Sequence, residues 1–73
     1  MTTDQFFAEN PAAVCWVICY RPTGKYLGES RAYDADIHGA QAFAKPDEAD
    51  AVREMISHIN RNDFRIDSCQ QEQ

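Results

Sequence analysis

The sequence predicts a small α+β domain: an antiparallel three-stranded meander with one long helix packed on it, a short N-terminal helix and a short C-terminal strand. Three observations predict it. Val14-Cys15-Trp16-Val17-Ile18-Cys19-Tyr20 is a run without charge, Gly, Pro or amide, rich in the β-branched and aromatic residues that suit a strand. Between Lys45 and Asn60, the apolar residues Ala49, Val52, Ile56 and Ile59 recur at spacings of 3, 4 and 3, which is one helix face. Arg21-Pro22-Thr23-Gly24 follows the first run, with Pro and Gly placed as a turn requires.

The first strand, about Ala13 to Tyr20, is apolar on both alternating sets. Val14, Trp16, Ile18 and Tyr20 point one way; Cys15, Val17 and Cys19 point the other. A strand apolar on both faces is central and covered on both sides. Residues 2–10 read as a short helix, because Thr2 and Gln5 have capping-box spacing. Asn10-Pro11 stops it. At least one of Phe6 and Phe7 is expected to cover the sheet face that the long helix leaves open.

The second strand is expected over Lys25 to Tyr33, forming a hairpin with the first. A weak third strand follows at Ala40 to Phe43, after a loop over 34–39. The long helix is expected over Lys45 to Asn60. Pro46 suits its first position, and Asp47 and Glu48 suit the positive end of its dipole. Phe64 to Cys69 alternates as a last strand with Phe64 and Ile66 inward, expected parallel to the first after a right-handed crossover. Residues 1–69 thus form one domain, and 70–73 form a disordered tail.

Composition narrows the function. Seven basic residues face twelve acidic ones, for a net charge of −5 over 73 residues. Direct nucleic-acid binding needs phosphate neutralisation by Lys and Arg, and an anionic membrane surface repels the same charge. A basic protein partner fits it. The N-terminus shows neither a basic region nor a long apolar run, so the expected compartment is the cytoplasm. Three Cys, an odd number, make a poor disulfide framework.

Catalytic and metal constellations are weak. Cys15, Cys19, Cys69, His38 and His58 have zinc-binding side chains, but Cys15 and Cys19 lie roughly 13 Å apart along one strand. That distance also forbids a disulfide between them; buried structural cysteines are the expected reading, and a reducing cytoplasm disfavours the remaining option, a bridge from Cys69 to either. Glu54 and His58 are four apart on the helix and read as a surface ion pair. There is no nucleophile elbow, phosphate loop or His-Glu-x-x-His pair. A non-enzyme without cofactor or metal is expected.

Two surfaces stand out. Asp34, Asp36, Asp47, Glu48, Asp50 and Glu54 form an acidic set opposed in that interval by Lys45 and Arg53 alone. It reads either as a solvated face that keeps a small protein soluble or as a docking surface for Lys and Arg of a partner. Tyr20, Arg21, Tyr26 and Arg31 flank the hairpin turn, and Tyr and Arg favour binding hot spots; of these, Tyr20, Arg21 and Tyr26 are the expected anchors. Ordinary cross-strand packing is the plainer account of them.

Helix, three strands and helix in that order resembles the double-stranded-RNA-binding domain. Its last helix must begin with basic residues to reach phosphates. Here Lys45, Pro46, Asp47, Glu48 and Asp50 give the wrong sign, which excludes that role. Trp16-Val17-Ile18, Tyr26-Leu27-Gly28 and Ala42-Phe43 leading into Glu48-Ala49 resemble a pattern of small acidic proteins of bacteriophages and mobile elements, the anti-CRISPR proteins among them. That group shares no motif, so no functional residue is carried over. The resemblance implies a phage-derived inhibitor that binds a host protein or ribonucleoprotein complex with a basic surface, in some members by mimicking DNA charge. The alternative expectation is a homodimeric structural or regulatory module using a sheet face or strand edge.

Overall fold

The structure, a computed structural model, describes residues 1–56 and 61–71. In chain order it contains α1 (Thr3–Glu9), β1 (Val14–Tyr20), β2 (Lys25–Tyr26), α2 (Pro46–Ile56), a 3-10 turn (Arg61–Asp63) and β3 (Phe64–Gln70). The sheet is antiparallel and three-stranded, in the order β2-β1-β3. The chain is thus a small α+β domain with its doubly apolar strand in the centre.

Local signals set α1, β1 and the start of α2. Thr2 caps α1 by accepting from the Gln5 amide, and the Gln5 side chain accepts from the Thr2 amide at 2.9 Å. Two helix donors are thereby satisfied reciprocally. Pro46 opens α2, with Asp47 and Glu48 in its first turn. The β1–β2 turn closes with the Gly24 amide donating to the Tyr20 carbonyl at 2.9 Å. Gly24 has a φ of 73°, a left-handed conformation that glycine adopts without a Cβ clash.

Each sheet face has its own cover. On one face Ile18, Leu27, Phe43, Ala49 and Phe64 form the main core, flanked by Trp16, Tyr20, Tyr33, Val52, Ile56 and Ile66. The apolar stripe of α2 therefore lands where its spacing directs it. On the other face Phe6, Phe7 and Cys15 form a second cluster with Ala13, Ala42 and Cys69. Both phenylalanines of α1 contribute, edge to face with ring centroids 5.4 Å apart.

Three expectations about the chain path are corrected. First, β2 ends at Tyr26 and not at Tyr33. Leu27 still donates to Ile18 at 2.9 Å, but the next outward groups of β1, at Trp16, are taken by Phe43 at 2.8 and 2.9 Å. Deprived of that edge, the chain turns over Gly28 to Ala32, with Arg31 at a φ of 69°, and returns to pair Ala35 with Tyr26. Second, residues 40–43 form no strand. Ala40, Gln41 and Phe43 bridge to Gly28, Thr2 and Trp16 respectively, three partners on three segments, so no continuous ladder develops.

Third, β3 runs antiparallel to β1 over seven pairs, from Val14↔Gln70 to Tyr20↔Phe64. The path of α2 explains the direction. The chain enters α2 just after Phe43, beside Trp16, and emerges through the 3-10 turn beside Tyr20. Eleven helical residues advance about 16 Å, close to the roughly 13 Å from Trp16 to Tyr20 along β1. The helix thus travels with β1, and the following strand must come back. Gln70, assigned by the sequence to a terminal tail, is the last residue of β3. The expected helical stretch 57–60, with Ile59 and the Glu54–His58 pair, lies outside the described residues, as does 72–73.

Candidate functional site

The carboxylates of the acidic set are all exposed. Asp47, Glu48, Asp50 and Glu54 lie on the solvent side of α2, which turns Ala49, Val52 and Ile56 toward the sheet. Asp50 accepts from Arg53 at 2.9 Å, so the basic residue of that face is already engaged. Met55 lies beside Glu48 at the flank of this face, with 68% of its surface exposed. The outer face of α2 is therefore an acidic strip bordered by one large apolar side chain.

The loop carboxylates sit on a segment anchored by contacts of its own. Asp34 follows Tyr33, whose ring packs on Tyr20 at 5.4 Å, whereas Asp47 and Glu48 follow Phe43, which bridges to Trp16. Trp16 and Tyr20 are roughly 13 Å apart on β1. Asp36 is used within its own loop, accepting from the Gly39 amide at 2.9 Å.

The hairpin residues are also separated. Register pairs Cys19 with Tyr26 and Tyr20 with Lys25. Since side chains alternate across a strand, Tyr20 and Tyr26 project from opposite faces. Tyr20 joins Tyr33 and Phe64 in an aromatic cluster, with centroids 5.1 to 5.4 Å apart. Its packing role is thus visible, and Tyr20, Arg21 and Tyr26 do not form one contiguous patch. The Arg21 amide donates to the Asp63 carbonyl at 2.7 Å and its guanidinium reaches the Asn62 carbonyl at 3.4 Å, tying the turn to the entry of β3. On the α1 side, burial pushes the Tyr26 hydroxyl pKa upward, with the neighbouring Cys19 and Asp67 adding to it.

A cleft that sequence reasoning missed lies between α1, the loop at 37–38 and the end of β3. Thr3, Asp4, Phe7, His38 and Cys69 are among its walls, and its volume is about 630 Å³. The Thr3 hydroxyl holds the loop through the carbonyls of Ile37 and His38. Asp4 and His38 meet at 3.0 Å, although 34 residues separate them in sequence. No local spacing could have disclosed that pair. Among the described residues, no three His, Cys, Asp or Glu side chains gather as metal ligands.

No family model, curated protein or solved structure matches this chain. Among the described residues no helix is long and apolar enough to cross a membrane.

Proposed function

We propose that this chain is a non-catalytic protein-interaction module that docks the outer face of α2 on a basic surface of a partner. One observation carries the reading. Asp47, Glu48, Asp50 and Glu54 are exposed together with Met55, while the neighbouring Arg53 is paired with Asp50. Such a strip offers negative potential for steering and an adaptable apolar side chain for contact. The small-phage-protein resemblance supplies the kind of partner: a host nucleic-acid-handling complex whose basic surface is occupied and thereby inhibited, as a CRISPR effector would be. Asp34 and Asp36 add to the overall negative field from the loop at 34–39.

The test is capture of purified CRISPR effector complexes by the tagged chain, washed across a salt series. Exposed charge pairs are screened within about 10 Å at 0.1 M salt. Capture should therefore fall steeply between low and moderate salt. Salt-resistant capture would remove the acidic strip as the contact, and no capture would remove the effector as the partner.

Among the described residues no strand pairs with the outer edge of β3, which favours a second reading, a homodimer. Trp16 and Ile18 direct their backbone groups toward Phe43 and Leu27, so Cys15, Val17 and Cys19 bond toward β3. Their partners Cys69, Asp67 and Arg65 then bond inward, which leaves Phe64, Ile66, Ser68 and Gln70 with backbone groups on the outer edge. An open edge of this kind is a template for another strand. A two-fold centred on Ile66 would set Arg65 opposite Asp67 of a second copy, twice. Light scattering over a range of concentrations should show the dimer mass; a monomer throughout would exclude it.

A further inference from the structure

We infer that Cys15 and Cys69 are a disulfide-forming pair, oxidised by a small disulfide such as glutathione disulfide that enters through the cleft beside Cys69. The two residues are direct partners across β1 and β3. Cys15 belongs to the residues of β1 whose backbone groups bond toward β3, so this is a hydrogen-bonded pair. Such pairs hold their Cα atoms about 5.5 Å apart, inside the Cα range of disulfides, and closing the bond draws their Cβ atoms in from about 5.5 Å to about 4 Å. Both side chains lie on the face covered by Phe6 and Phe7, and Cys69 is among the groups that push the Cys15 thiol up.

The pair is also asymmetric, as a two-step exchange requires. Cys15 is 0% exposed, and its thiol is pushed up to about 11, first by burial and then by Cys69. Cys69 is half-buried and lines the cleft. Cys69 is therefore the entering nucleophile and Cys15 the resolving one. The Cys69 thiolate attacks one sulfur of glutathione disulfide, the S–S bond breaks, and one glutathione leaves as its thiolate. Cys15 then gives up its proton, attacks the Cys69 sulfur, and displaces the second glutathione, which takes a proton. Two thiols are oxidised and one glutathione disulfide is reduced to two glutathiones. Cys19 takes no part. It sits roughly 13 Å along the same strand from Cys15 and faces Arg65 across the ladder.

The bond would join the central strand to the edge strand and close residues 15–69, 55 of the 73, into one loop. It is independent of the docking reading, since neither cysteine lies on α2.

The experiment treats the full folded chain with excess glutathione disulfide, alkylates the remaining thiols, and maps the products by intact mass and peptide analysis. The expected product is monomeric, has lost about 2 Da, contains Cys15 joined to Cys69, and alkylates once, at Cys19. Cys19→Ser should leave the joined pair forming at the same rate, and Cys69→Ser should abolish it. A wild-type chain that ends as a stable glutathione adduct, bridges Cys19, or keeps all three thiols while its urea-unfolded form oxidises would overturn the inference. The wild-type map decides it even where a variant fails to fold.

Discussion

Ile18→Ala should remove half or more of the protein's folding stability. Ile18 is the central strand's contribution to the main core, is 0% exposed, and packs with Leu27, Phe43, Ala49 and Phe64. Truncating a buried Ile to Ala costs about 2–5 kcal/mol, through lost transfer energy and the cavity left behind. A single domain of 73 residues has a total stability on the order of 4–11 kcal/mol, with small cores toward the lower end. The substitution thus removes half or more of what is available. β1 is also the strand on which β2, Phe43 and β3 all pair, so no part of the sheet survives its loss. Urea unfolding followed by circular dichroism reads the effect as a lost or strongly lowered midpoint. Met55→Ala, at an exposed position, should shift stability by no more than about 0.5 kcal/mol. A wild-type midpoint for Ile18→Ala would mean that the core is not where these contacts place it.

Reversing Asp47, Glu48 and Asp50 together to Lys should weaken partner binding by roughly 10- to 100-fold. Each exposed ion pair is worth about 0.2–1 kcal/mol, and reversal replaces attraction by repulsion at three adjacent positions. It also moves the net charge from −5 to about +1, which removes the long-range steering. The reversal has a structural side effect with a known sign. Asp47 and Glu48 occupy the first turn of α2, where a carboxylate is favoured by about 0.3–1 kcal/mol and a lysine is not. The neutral variant Asp47→Asn, Glu48→Gln, Asp50→Asn separates the effects, since it deletes charge without placing lysines at the helix start. Titration calorimetry against the captured complex should rank wild type above the neutral variant and the neutral variant above the reversal. Equal affinities, with native circular dichroism in all three, would remove the acidic strip from the mechanism.

The elements legible in advance were those specified within a few residues. Thr2 and Gln5 cap α1 because their side chains reach backbone amides within the same turn. Pro46 and the 3-4-3 apolar spacing define α2 and the face it buries. Val14 to Tyr20 reads as a central strand because both of its faces are apolar. The acidic outer face of α2 follows from the same periodicity, since a helix that buries Ala49, Val52 and Ile56 must expose Asp47, Asp50 and Glu54.

What the amino-acid order alone determined is therefore the set of main elements, the centre of the sheet, and the sign of charge on α2. Only the tertiary structure decided how the segments share β1. Phe43 holds the edge next to Ile18, so β2 stops at Tyr26 and the hairpin residues never form one patch. The path of α2 along β1 reverses the expected direction of β3. That reversal sets Cys69 opposite Cys15 and brings the end of β3 to the cleft where Asp4 meets His38. Backbone edges are chemically alike in every residue but proline, so a sequence does not mark which segment will win a given edge. Long-range register settles that competition, and it exists only once the chain has folded.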